Sequence, residues 1–96
     1  MDKTNEIKLQ ILPILREAEV SRSFIFGSYA KNKYKKNSDL DLLVEFNKSK
    51  SLLDLIALKL KLEKKMGIRI KVDILTSNSI HPDIRNLIQK EKIQIL

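Results

Sequence analysis

The stretch FGSYAKNKYKKNSDLDLLVEF, Phe26 to Phe46, decides the fold of this 96-residue chain. Its end, DLDLLVEF (39–46), alternates polar and apolar side chains, a pattern that predicts a β-strand with one apolar face. A strand places Asp39 and Asp41 on the same face, about 6.6 Å apart along the backbone. A helix would turn the chain by about 200° between them and separate them. The stretch therefore holds two like charges close together directly after a loop rich in lysine.

The residues before this strand predict a helix, a strand and a short helix. Apolar residues at positions 7, 11, 14, 15 and 18 have helical spacing, and Pro13 either kinks this first helix or begins a shorter one. SRSFIFG (21–27) predicts the first strand, which ends at a glycine. SYAKNK (28–33) predicts a short helix after it.

The residues after the stretch predict a helix, a strand and a last helix. SLLDLIALKLKLEKKMG (51–67) begins with Ser51 and Asp54 at capping-box spacing and ends at a glycine. IRIKVDIL (68–75) alternates again and predicts the third strand. Pro82 begins a helix through about Lys90, and KIQIL (92–96) predicts either a short terminal strand or a tail.

The order α-β-(short α)-β-α-β-α predicts an α/β (α+β) fold. Because each predicted strand has one apolar face, we expect a small mixed three-stranded sheet with helices on one face and the other face partly open. The length fits one domain, residues 1–96.

Composition narrows the function classes. The chain has no cysteine and one histidine, so any metal site must use mainly oxygen ligands. No apolar run is long enough to span a membrane and the N-terminus lacks a signal-peptide core, so we expect a cytoplasmic protein with no membrane partner. The net charge of +7 indicates an anionic partner or merely a lysine-rich composition. With few aromatic residues, direct nucleic-acid binding is not favoured.

Three aspartates are candidate metal ligands. Asp73 is the lone acid of the third strand and lies on the face opposite its apolar residues. If the second and third strands are neighbours, Asp39, Asp41 and Asp73 meet on one open face, where the carboxylates could hold Mg²⁺. The alternative is a polar strand start after a turn, with Asp73 merely facing solvent.

Gly27 and Ser28 form a candidate phosphate-binding turn between the first strand and the short helix. A glycine lets the backbone approach a phosphate closely, and N–H groups at a helix N-terminus bind anions. The basic loop that follows could attract a nucleotide or an acidic acceptor, and Lys31 is its lysine nearest the turn. The alternative for these residues is an ordinary tight turn and a solvated loop.

The combination resembles the DNA polymerase beta nucleotidyltransferase superfamily, and within it the minimal nucleotidyltransferase (MNT) domain. The resemblance rests on Gly27-Ser28, ten intervening residues, Asp39-x-Asp41 and the later KVDIL (71–75). It covers nearly the whole chain and implies a polymerase beta-like fold.

The resemblance also implies a chemistry. Asp39 and Asp41 would bind two Mg²⁺ ions, Asp73 would complete the catalytic site, and Gly27 and Ser28 would hold the triphosphate of a nucleotide, with ATP as the expected substrate. Asp73 is also the candidate to accept the acceptor hydroxyl's proton. This chain departs from the frequent GSxARG motif by having Lys31-Asn32 in place of Arg-Gly, and Lys31 keeps the charge but loses the forked donor geometry.

The family suggests a partner as well. MNT proteins of this length resemble antitoxins that are encoded beside HEPN-domain ribonuclease toxins. Some of these antitoxins silence the toxin by adenylylating a tyrosine. Three hypotheses stay open at this point: nucleotidyl transfer to a HEPN toxin, a binding module that neutralises its toxin by contact alone, and transfer to a small molecule or RNA end. The helix 51–67 carries more apolar residues than one buried stripe needs, which indicates either a docking surface or deep burial.

Overall fold

The computed structural model describes residues 3–27, 29–31, 39–67, 70–77 and 80–96. Across these ranges the chain forms three helices and a four-stranded mixed sheet. In chain order the elements are α1 (Lys3–Glu17), β1 (Val20–Phe26), β2 (Leu40–Phe46), α2 (Leu52–Met66), β3 (Val72–Thr76), α3 (Pro82–Glu91) and β4 (Ile93–Gln94). The predicted α+β class is confirmed.

The sheet has the strand order β3-β2-β1-β4, one strand more than the predicted three. β2 pairs parallel with β3 and antiparallel with β1, and β4 pairs antiparallel with β1. The extra strand is β4. It lies in the last residues of the chain, for which the sequence predicts either a short terminal strand or a tail. Ile95 is buried, and its N–H donates to the carbonyl of Ser23 on β1. Burial of this side chain keeps the chain end against β1.

The main core lies between one face of the sheet and the pair α1 and α2. Leu40, Leu42 and Val44 on β2 are fully buried there, as the alternation of this strand predicts. The helices contribute the buried residues Ile7, Ile11, Leu15, Leu58 and Leu62. This core orients β2 so that its odd-numbered residues, including Asp41, lie on the opposite face.

The opposite face is partly covered by α3, so the prediction of helices on one face only is wrong. Phe24 and Leu43 are apolar residues on this second face, and Ile88 of α3 packs against them. Packing of α3 against these side chains is favourable, because their apolar surface would otherwise be exposed to water. α3 covers the middle of this face, beside the aspartates.

The helix ends follow the predicted chemistry. Ser51 and Asp54 form a complete capping box at the start of α2, and α2 ends at Gly67. His81 is the N-cap of α3, where its Nδ1 accepts a hydrogen bond from the N–H of Asp83. Pro13 lies inside α1 at an exposed position.

Two predicted segments fall partly outside the described residues. Of the short helix 28–33, the structure describes positions 29–31. The third strand begins at Val72 rather than at position 68, and positions 68 and 69 are not described. At this start the N–H of Val72 donates to the Oε2 atom of Glu63 on α2, at 2.9 Å.

Candidate active site

Asp41 and Asp73 are direct neighbours in the sheet. The parallel register of β2 and β3 pairs their α-carbons, and both residues lie on the face opposite the main core. Neighbouring strands are about 4.8 Å apart, so two carboxylates start from nearly the same point on this face. The predicted condition, that the second and third strands are adjacent, is therefore met.

Asp39 lies one residue before β2 and is exposed. Alternation along the chain places it on the same side as Asp41, at the strand entrance. Its charge reaches Asp41, because it contributes to the raised pKa of that carboxyl. The three predicted acids thus belong to one charged cluster, in which Asp41 is central.

Asp41 carries the electrostatic strain of the cluster. Its pKa is raised to about 6, first by burial and then by the negative charges of Asp73 and Asp39. Burial and like charges both disfavour the ionised form. A cation at this place would relieve the repulsion.

Gly27, the residue after β1, lies directly beside Asp41. Its φ is +74°, in the region that favours glycine, and a β-carbon at this position would lie 3.3 Å from Cγ of Asp41 and still closer to Oδ2. The glycine therefore answers two requirements at once, a left-handed backbone and space for the carboxylate. The sequence predicts that a phosphate approaches the backbone closely at Gly27. In this structure the side chain of Asp41 fills the space beside that glycine.

A groove of about 450 Å³ runs from the acids to α2. Asp41, Asp73 and Phe26 line it on the sheet side, and Leu52 and Ile56 line it on the helix side. A volume of this size suits a nucleotide-sized ligand. The apolar wall from α2 was not predicted as part of the site; its signal in the sequence is the surplus of apolar residues in 51–67.

Lys31 is ion-paired away from the acids. Its Nζ lies 2.8 Å from Oε1 of Glu91 at the end of α3, and its N–H donates to the carbonyl of Gly27. This backbone hydrogen bond joins residues four apart, as in one turn of an α-helix, and closes a turn after β1. Sequence reasoning missed Glu91, since nothing in its surroundings marks it as a partner of a residue sixty positions earlier.

The other residues near the predicted phosphate turn lie either in the core or outside the described residues. Tyr29 is buried in the main core. Ser28, the second residue of the predicted phosphate turn, lies outside the described residues, as do Asn32 and the lysines at 33, 35 and 36.

The donor set suits a hard divalent cation, although the ligands are not pre-assembled. Within the described ranges, no group of three or more His, Cys, Asp or Glu side chains has an arrangement that could hold a metal ion by itself. Mg²⁺ needs few protein ligands, because it keeps several waters and takes oxygens from substrate phosphates. The carboxylate pair Asp41 and Asp73, with Asp39 nearby, therefore fits Mg²⁺ that arrives with a nucleotide.

Comparison with known proteins identifies the class. The family model described as "Nucleotidyltransferase domain" matches residues 8–95, and the chain belongs to this family of enzymes. "Putative protein adenylyltransferase MJ0435" of Methanocaldococcus jannaschii is 52% identical over 92 residues, which cover 96% of this chain and 97% of that protein. The chain is thus a nucleotidyltransferase whose similar proteins bear the name of protein-modifying enzymes.

Solved structures share the fold. A "putative minimal nucleotidyltransferase" superposes with a TM-score of 0.80 at 34% identity, covering 97% of this chain and 95% of that one. A toxin–antitoxin structure with AMP-PNP also gives a TM-score of 0.80, at 21% identity, covering 93% of this chain and 72% of that one. Together they confirm the predicted MNT-type architecture. Among the described helices, none has the length and apolar character needed to cross a membrane.

Proposed function

We propose that this protein is a Mg²⁺-dependent protein adenylyltransferase that acts as an antitoxin, moving AMP from ATP to a hydroxyl of a HEPN ribonuclease toxin. The observation that carries the proposal is the register pairing of Asp41 with Asp73 beside Gly27. The adenylyltransferase name of the 52% identical relative supports the donor and the protein acceptor. The toxin–antitoxin structure with AMP-PNP, an ATP analogue, supports the setting.

The reaction assigns a role to each acid. The acceptor hydroxyl oxygen forms a bond to the α-phosphorus of ATP, the bond from that phosphorus to the oxygen leading to the β-phosphate breaks, and pyrophosphate leaves. Asp73 is the group proposed to take the hydroxyl proton, since it is exposed at the groove and can meet an incoming side chain.

Asp39 and Asp41, completed by Asp73, would hold Mg²⁺. The ions would neutralise phosphate charge and position the transferring phosphorus. The raised pKa of Asp41 is consistent with this role, because its causes include the unbalanced charges of both other acids. Gly27 and Ser28 are proposed to bind the triphosphate, with Lys31 as a cationic contact.

The decisive experiment compares wild type with the double variant Asp39→Asn/Asp41→Asn. Each is mixed with the product of the adjacent reading frame, which is the proposed toxin, together with ATP and Mg²⁺, and intact mass spectrometry follows that product. We expect one or more AMP masses on the toxin with wild type and none with the variant. Glu17→Gln, an exposed acid on α1, is the matched control and should behave as wild type.

The other outcomes distinguish the alternatives. Equal neutralisation of the toxin by wild type and the double variant would assign a binding module that acts by contact alone. Label from ATP on RNA or a small molecule, with the toxin unmodified, would assign a different acceptor. Loss of transfer when Mg²⁺ is removed by a chelator, and its return on adding Mg²⁺ back, would support the metal dependence.

A further inference from the structure

One face of α2 exposes four large apolar side chains. Leu52 is 71% exposed, Leu53 76%, Ile56 44% and Leu60 60%. At about 100° per residue they fall within an arc of about 100°, so they form one continuous strip, the apolar stripe of α2. The helix is therefore not deeply buried, and its surplus of apolar residues lies on the surface. Contiguous exposed apolar patches typically mark interaction sites.

The apolar stripe is continuous with the groove of the acids. Leu52 and Ile56 belong to the stripe and also form the helix-side wall of the groove that Asp41 and Asp73 line. A macromolecule that covers the stripe would therefore stand at the entrance to the acids. A small acceptor would gain nothing from the outer part of the stripe at Leu53 and Leu60.

The charges that α2 itself places beside the stripe are mainly positive, in contrast to the acids of the adjoining groove. At about 100° per residue, Lys59 lies just outside one edge of the stripe and Lys64 just outside the other. The acid within the arc, Glu63, is half-buried and accepts the N–H of Val72 at 2.9 Å. The surface that complements α2 is therefore apolar at its centre and acidic where it meets these two lysines.

We propose that the acceptor protein of the transfer reaction docks on the apolar stripe of α2, through an apolar surface bordered by acidic residues. Docking there places the acceptor hydroxyl at the groove of Asp41 and Asp73. This inference rests on the proposed function, and it explains how so small a chain selects a protein: α2 supplies the acceptor-binding surface and the sheet supplies the chemistry.

The test uses the full chain and, as the probe, the full-length product of the adjacent reading frame, which is the proposed toxin. Leu53→Gln/Leu60→Gln removes two of the most exposed residues of the stripe without touching the core. We expect at least about tenfold weaker binding of the toxin, equivalent to about 1.4 kcal/mol, because the interface loses the buried apolar area of two leucines. ATP affinity should stay unchanged, and the KM for the toxin should rise while the rate at saturating toxin is kept.

Two matched controls sharpen the result. Leu9→Gln removes an exposed leucine of α1, 65% exposed, that is not on the stripe and should bind the toxin as wild type. For the charged rim, Lys64→Glu should weaken binding several-fold, whereas Lys61→Glu, on the other side of α2, should not. Circular dichroism of each variant verifies that it is folded.

The outcomes separate docking from catalysis. Asp41→Asn should bind the toxin normally and transfer no AMP. Stripe-dependent binding without any transfer by wild type would support the docking surface and overturn the proposed reaction. Unchanged binding by the double leucine variant, or equal loss with Leu9→Gln, would overturn the docking surface. Wild type that self-associates in sedimentation, in a way abolished by the double leucine variant, would also overturn it by assigning the stripe to a second copy.

Discussion

Gly27 lies so close to the carboxylate of Asp41 that any β-carbon at position 27 would overlap it. The nearest atom would be Oδ2, followed by Cγ at 3.3 Å. The carboxylate of Asp41 thus lies in the space that a side chain at position 27 would fill. Its position therefore depends on glycine at position 27. This contact links the backbone turn to the chemistry of the site.

Gly27→Ala should abolish AMP transfer, with a loss of at least about 100-fold, because displacement of a reacting group by an ångström has that effect. Gly67→Ala is the matched control, since Gly67 also has positive φ (+97°) but nothing lies within 4 Å of its added β-carbon. Both variants should lose about 1–3 kcal/mol of unfolding free energy from backbone strain. Urea unfolding and a transfer assay check the two effects; equal activity of the two variants would contradict the proposed contact.

Asp73→Asn should lower the pKa of Asp41 from its value of about 6, because the charge of Asp73 is the largest electrostatic cause of the shift. The pKa should remain above the ordinary value of 3.8, since burial, the first cause, is unchanged. NMR titration of the Asp41 carboxyl carbon measures it. Asp83→Asn, an exposed acid at the start of α3, is the control and should leave the titration unmoved.

Asp41→Asn should stabilise the fold at neutral pH. The folded pKa of about 6 exceeds the ordinary 3.8, so the folded state holds this proton more tightly and wild type loses stability as pH rises from about 3.8 to about 6. Above that window the variant should be more stable by about 1 kcal/mol, after allowing for solvent screening of a half-exposed group. Urea unfolding at pH 3.5 and pH 7 tests this; a difference equal at both pH values would rule out the electrostatic cause.

Glu91→Gln should strengthen ATP binding by about two- to five-fold, because it releases Lys31 from its 2.8 Å ion pair. Lys31→Met should weaken ATP binding by about tenfold if the ammonium contacts phosphate. Lys50→Met breaks a different ion pair, with Glu19 at 3.1 Å, and serves as the control. Calorimetric titration with ATP and Mg²⁺ measures all three, and unchanged affinity in both Lys31 and Glu91 variants would remove Lys31 from the nucleotide site.

The chemistry-bearing strand was the most predictable part of the molecule. Alternation in 39–46 is sufficient to assign the faces of Leu42 and Asp41, because one face must be buried. Predicting the pairing of Asp41 with Asp73 also requires the strand order. From the sequence, the adjacency of the second and third strands was only a condition of the prediction. Local pattern thus predicted the side of each acid, and long-range packing supplied their adjacency.

The failures have physical causes too. α3 was not predicted on the second face because its apolar residues give a divided signal: Ile88 is buried, whereas Ile84 and Leu87 are about half exposed. β4 was ambiguous because two paired residues are too few for a periodicity. The ion pair of Lys31 with Glu91 joins distant positions, and no spacing rule reaches across that separation.

The hydrogen bond from Val72 to Glu63 has a consequence for solubility. β3 is an outer strand, and an unoccupied N–H on an outer strand invites a foreign chain to pair with it. The carboxylate from α2 fills that donor, so one side chain removes the first pairing position of this outer strand. The same glutamate thereby makes the start of β3 a poorer template for a foreign strand, while the neighbouring leucines of α2 stay accessible to a partner.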